Sequence, residues 1–301
     1  MSALIEPTQK DKPTMIRTTI FAASLAVAFS AAQADTPLTV KVYNADANSF
    51  HVNSTLVYGE KEALVINAGF TRADALRIAA NVLDSGRQLK TILVSQADPD
   101  FYFGVETLKQ FFPNAEVVAT PAVLEKLAPK VAGKLAFWGP KMGANAPLAP
   151  VVPKPLQGIT LMVDGQTVEL RGTQGLLAHR PYVWIPSIKT LAGNLGVFGN
   201  LHVWTADTQT AAERAAWVAA LDDMAALKPA VVVPGHMASG TALDAQAITY
   251  TKAYLQTFEK NLATAKNSAE LIAVMKKAYP SAQLGIALDI GAKVNKGEMK
   301  W

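Results

Sequence analysis

Apolar and polar residues alternate over 38–42 and 51–57, and a third strand over 62–66 runs into the turn Asn67-Ala68-Gly69, so the chain opens as a β-meander. Thr71 then caps a helix whose apolar positions Leu76, Ala79, Ala80 and Leu83 recur at helical spacing, and Gly86 stops it. The unbroken run Thr91-Ile92-Leu93-Val94 predicts a fully buried strand. A loop over 95–103, a short helix over 105–112, a strand over 116–119 and a helix over 121–137 follow, the alternation of a layered α/β protein. Residues 139–158 carry Pro140, Pro147, Pro150, Pro153 and Pro155, too many for a helix interior or a central strand, which predicts a crossover or a lid.

The second half repeats this logic. Strands are expected at 159–163, 167–170, 182–185 and 190–192, then an alanine-rich helix from the capping box Thr210-Ala211-Ala212-Glu213 to Lys228. A buried strand over 230–233 ends at Pro234-Gly235-His236, and helices over 243–266 and 269–278 finish the chain. Two halves of this kind imply two sheets packed face to face with helices outside, in one domain over 35–301.

The first 34 residues read as an address rather than as fold. Lys10, Lys12 and Arg17 precede an apolar run over 20–32, and Ala32-Gln33-Ala34 supplies a small-x-small cleavage site. About 13 apolar residues fall short of the roughly 20 that span a bilayer, so the expectation is a signal peptide cut after Ala34 and a periplasmic protein without a stable membrane span. Residues 15–34 alone make a complete signal peptide, which leaves Met1 and Met15 both open as the start.

Composition narrows the chemistry. Half of the 301 residues are apolar, enough for a large core, and the net charge is only +4. No basic run with interleaved aromatics is present, so nucleic acid is not an expected partner and a small molecule is. There is no cysteine, which excludes disulfides, thiolate metal sites and thiol nucleophiles.

The segment Ser95-Gln96-Ala97-Asp98-Pro99-Asp100-Phe101-Tyr102-Phe103-Gly104, between a strand and a helix, resembles the T-H-x-H-x-D-H-x-G-G loop of the metallo-β-lactamase superfamily. Val233-Pro234-Gly235-His236 is similar to its last ligand motif, Asn67-Ala68-Gly69 to its early D-T-G turn, and Gly193-Asn194 stands where G-D supplies a bridging aspartate. The resemblance extends from about residue 40 to 240 and implies a four-layer αββα sandwich. It also implies a metal-dependent hydrolase of a small ester, lactone, lactam or phosphoester, with metal at Asp98, Asp100 and His236 and with Asp100 orienting a bound water.

The ligand set, however, is depleted. Gln96, Asp98 and Phe101 replace histidines, Asn194 replaces the bridging carboxylate, and the third histidine of the first site falls near Leu176. Amide oxygens are weak zinc ligands and leucine is none, so the expectation is at most one tightly held divalent ion, zinc by family. Gln96, His179, Asn194, His202 and Asp207 are secondary ligand or pocket candidates, while His51 reads as structural. Asp98 and Asp100 have turn hydrogen bonding as their plain alternative. Phe101, Tyr102, Phe103, Phe137, Trp138, Trp184 and Trp204 are candidates for a pocket lining or for core. The alternative to a hydrolase is a periplasmic ligand-binding pseudoenzyme of the same fold.

Overall fold

The computed structural model describes residues 1–4 and 36–301; the signal-peptide segment and its cleavage site lie outside the described residues. Residues Thr36–Trp301 form one compact unit. It opens with β1 (Thr39–Asn44), β2 (Asn53–Tyr58) and β3 (Glu62–Ile66), joined antiparallel. Then come α1 (Arg72–Ser85), β4 (Gln88–Leu93), the single turn α2 (Pro99–Tyr102), α3 (Val105–Phe111), β5 (Glu116–Ala119), α4 (Pro121–Leu127), α5 (Val131–Met142) and β6 (Lys154–Pro155). Strands β4, β5 and β6 add in parallel to give a six-stranded sheet in the order β1-β2-β3-β4-β5-β6.

The second half supplies β7 (Thr160–Val163), β8 (Gln166–Arg171), β9 (Tyr182–Ile185), β10 (Thr190–Ala192), β11 (Phe198–Gly199), α6 (Ala211–Ala226), β12 (Val231–Val232), β13 (His236–Met237), α7 (Gln246–Thr264), α8 (Ser268–Ala278) and α9 (Gly285–Asn295). Its five-stranded sheet runs β12-β10-β9-β8-β7, and β11 pairs with β13 in a separate two-stranded ribbon.

Three apolar layers hold the elements together. Val57, Leu64, Ile66 and Leu93 of the first sheet meet Val168, Leu170, Val183 and Ile185 of the second in a cluster between the sheets. The outer face of the first sheet packs through Val65 and Ile92 on Ile78, Val82 and Leu108 of α1 and α3. The outer side of the second half packs through Trp184 and Leu191 on Trp217, Leu255 and Leu288 of α6, α7 and α9. This is the expected αββα sandwich. No helix among the described residues is long and apolar enough to cross a membrane.

Several elements differ from expectation. The buried stripe of α1 is Ala75, Ile78, Ala79 and Val82, while Leu76 and Leu83 are 42% and 59% exposed. The helix expected over 121–137 breaks at a 3-10 turn over Ala128–Lys130, which contains Pro129, and resumes as α5 through Pro140 to Met142. An exposed last turn loses a single backbone bond to Pro140 and survives it. The proline-rich segment then supplies the edge strand β6, where Pro155 needs no donor toward a further neighbour. Helix α9 was not anticipated.

Candidate functional site

Two loops from different halves of the chain meet at one end of the sandwich. The first is fastened to the turn that follows β3. Asn67 sits in the left-handed region at φ 66°, and its side-chain oxygen accepts from both the amide and the hydroxyl of Ser95, each at 2.9 Å. Ala68 N–H donates to Phe101 O at 2.8 Å and Gly104 N–H to Gly69 O at 3.1 Å. A Cβ on Gly104 would stand 2.0 Å from Ala68 O, so only glycine lets the loop lie this close. Between these two anchors Pro99 opens α2 and turns Asp100 inward.

The second loop leaves β12. A Cβ on Gly235 would meet Asn194 O at 2.2 Å, and Asn53 fixes the loop by donating from its amide to Gly235 O and from its side chain to Pro234 O, both at 2.8 Å. His236 follows, its ring stacked on Phe198 and edge-on to Phe101.

His236 Nε2 stands 3.4 Å from Asp100 Oδ2, with both side chains buried. His236 Nδ1 lies 2.9 Å from Phe50 O. A carbonyl can only accept, so Nδ1 carries the hydrogen and Nε2 presents its lone pair to Asp100. Burial pushes the imidazole down to about 4 and the Asp100 carboxyl up to about 7. Asp98, 35% exposed, is raised by desolvation and then by the negative charges of Asp207 and Asp100; Lys134 Nζ, 4.0 Å away, opposes this.

The other sequence candidates are placed differently. Gln96 is buried and donates its amide to Pro181 O at 2.9 Å. Asn194 is buried and donates to Val233 O at 3.0 Å, and its side-chain oxygen has no partner among the described residues. Neither lines the cavity in front of Asp100. Leu176 is 55% exposed. His179 is half-buried, lowered by burial and by Arg180, and also outside the lining. His202 belongs to the core, where its Nδ1 meets Tyr254 Oη at 3.0 Å. Asp207 does line the cavity, held by the indole N–H groups of Trp204 and Trp301 at 2.8 Å each.

The family's metals do not fit this donor set. Two ligands of one zinc ion, each bonded at about 2.0–2.1 Å, stand roughly 3.3 Å apart, which matches Asp100 and His236. Two donors make no stable site, and among the described residues no group of three histidine, aspartate or glutamate side chains could hold an ion. Phe101 fills the place of a further ligand with a buried ring.

What the two loops do enclose is a cavity of about 610 Å³. Its walls are chiefly rings: Phe50, Phe70, Phe101, Phe137, Trp138, Phe198, Trp204 and Trp301. Asp98, Asp100, Asp207 and His236 supply its acidic and imidazole groups, and Lys130, Lys134 and Lys300 its cations. Of the aromatic candidates from sequence, Phe101, Phe137, Trp138 and Trp204 line it, while Tyr102, Phe103 and Trp184 are core. Phe50, Phe70, Phe198 and Trp301 come to it from remote segments and carry no local signal. The proline-rich residues 139–158 contribute nothing to the lining, so they form a crossover and not a lid.

An αββα sandwich whose sheet-end loops converge on one pocket defines a class of fold, and the comparisons name it. The family model of the metallo-beta-lactamase superfamily matches residues 47–236. The chain belongs to that superfamily, whose members typically bind divalent metals. A metallo-beta-lactamase family protein from Thermus thermophilus is 19% identical with a TM-score of 0.59, over 87% of this chain and 92% of that one. A metallo-beta-lactamase from Pontibacter korlensis is 18% identical with a TM-score of 0.51, over 74% of this chain and 97% of that one. Likeness at this level is likeness of fold. No curated protein matches the chain.

Proposed function

We propose that this protein is a small-molecule binder built on a hydrolase fold, taking a flat, largely apolar molecule whose polar end reaches Asp98, Asp100 and His236. The carrying observation is the cavity itself, walled by aromatic rings with a few convergent polar groups, the usual make-up of a ligand site. Quenching of tryptophan fluorescence by a panel of aromatic acids, amides and esters tests it. Saturable quenching should appear for some of them and weaken at least about tenfold in Trp138→Ala, the loss of one well-packed aromatic contact. Identical titrations of wild type and variant would sink the proposal.

A second reading, hydrolysis of a small ester, lactone, lactam or phosphoester, is favoured by the 3.4 Å approach of His236 Nε2 to Asp100. Here the pair would move a proton to or from water at the cavity floor. Ester turnover that survives chelator and disappears in His236→Gln supports this reading; turnover indifferent to His236 removes it.

Export to the periplasm belongs to the same proposal, supported by the charged, apolar and Ala-x-Ala segments in order. Exported protein should begin at Asp35, and N-terminal sequencing that found residues 15–34 still attached would overturn it.

A further inference from the structure

The polar atoms at the buried end of the cavity are all acceptors. Asp100 lines the cavity, is buried, and receives no side-chain donor among the described residues. His236 Nδ1 donates to Phe50 O, so Nε2 is a lone pair, and it stands 3.4 Å from Asp100 Oδ2. The nearby Asp207 is treated differently: each of its oxygens accepts an indole N–H, one from Trp204 and one from Trp301. Asp98 has Lys134 Nζ at 4.0 Å, beyond hydrogen-bond reach. The other cations of the lining, Lys130 and Lys300, are exposed and belong to its outer part.

A buried carboxylate beside a lone pair is costly unless a donor reaches both. Water supplies hydrogens but no charge. Charge-assisted N–H···O bonds run to about 2.7–2.9 Å, so a single nitrogen bridges two acceptors 3.4 Å apart with modestly bent bonds. A protonated amine of this kind brings a positive charge to Asp100 and Asp98, and it needs no third protein ligand, as a zinc ion does. The walls admit it, because aromatic rings attract cations and Phe101 and Phe198 border both the His236 imidazole and the cavity. A volume of about 610 Å³ leaves room behind the amine for a short chain and a ring.

We propose that the site takes a protonated primary arylalkylamine, its ammonium bridging Asp100 and His236 Nε2 beside Asp98 and its ring lying among the aromatic walls. In the binding reading above, on which this rests, the polar end of the ligand is then a cation that carries N–H donors. An aromatic carboxylate would meet Asp98 and Asp100 as a like charge, and an amide would bring hydrogens without charge.

Calorimetry on the full chain, in excess chelator, compares four compounds of similar shape: phenethylamine, its trimethylammonium analogue, hydrocinnamamide and hydrocinnamate. At about pH 8 a primary amine is a cation and Asp100, raised to about 7, is a carboxylate. Phenethylamine should bind at least about tenfold more tightly than each of the other three, the gain of charge-assisted over neutral or absent bonding. Asp100→Asn should weaken the amine at least about tenfold and leave the amide within about twofold. A trimethylammonium analogue as tight as the amine overturns the proposal, since charge and rings would then suffice without N–H donors. So does an amide or carboxylate that matches the amine, the carboxylate pointing to the lysines as the recognising groups, and so does an amine affinity indifferent to Asp100. Each of those results leaves the binding reading standing. Binding by none of the four compounds sinks both.

Discussion

Asp100 and His236 respond to pH in opposite senses. The His236 imidazole is held near 4, below its ordinary 6.5, so the unfolded chain takes up a proton that the folded one refuses. Its contribution to stability is therefore whole above 6.5 and is lost as the pH falls toward about 4. The Asp100 carboxyl is raised from 3.8 to about 7, so its contribution is whole below 3.8 and is lost as the pH rises toward 7. Between pH 4 and 6.5 the two slopes oppose each other. The raised Asp98 carboxyl adds the same falling slope in both variants, so the comparison is with wild type: in urea unfolding Asp100→Asn should make the slope of stability against pH over that window more positive, and His236→Gln should make it more negative. Parallel slopes in the two variants would contradict the assignment. Both residues were legible in the sequence because each is tied to a glycine that the backbone geometry demands, Gly104 and Gly235. Phe50, Phe70, Phe198 and Trp301 were not, since nothing local distinguishes an aromatic ring that lines a cavity from one that fills a core. His202 misled for the converse reason: the Tyr254 that engages it comes from a helix 52 residues on.

Among elements, β3, β5, β9 and β10 were read to the residue because buried strands are short, continuous and rich in β-branched side chains, whereas β4 starts three residues before the expected Thr91 and the two-residue strands β6, β11 and β13 carry no pattern long enough to read. Helix α1 departs from its sequence pattern. Leu76, Ala79, Ala80 and Leu83 form a helical stripe, but Ala75, Ile78, Ala79 and Val82 form another, and size favoured the wrong one. The capping box at Thr71 and Asp74, further tied to Ser49 and Tyr43, sets the rotation of the helix, and those partners lie outside the local sequence. Ile78→Ala should accordingly cost about 2–4 kcal/mol, as truncation of a packed core residue does. Leu83→Ala should stay within about 0.5 kcal/mol, as exposed changes do. Chemical denaturation of both variants checks the order, and a reversed order would mean that the helix is turned the other way.

Taken whole, the molecule should be indifferent to metal. Its layers are held by three apolar clusters, and the loops at the site are pinned by backbone bonds, so no step of folding waits for an ion. Thermal unfolding in excess chelator and in added zinc should coincide within about 1 °C, where a bound ligand at a hundredfold excess over its Kd would add about 2.7 kcal/mol. A zinc-dependent rise of several degrees would show that Asp100 and His236 recruit donors from elsewhere.

The two site glycines have a consequence for how such a chain can change over generations. Gly104 and Gly235 leave no room for a Cβ, so any replacement strains the backbone whatever the protein binds. The neighbouring positions 96, 98 and 101 carry no such demand. Selection for a foldable chain and selection for reactivity therefore act on different letters of one motif. Side chains at those positions can thus be exchanged without rebuilding the turns, provided that the newcomers at 96 and 101 still pack in their buried places.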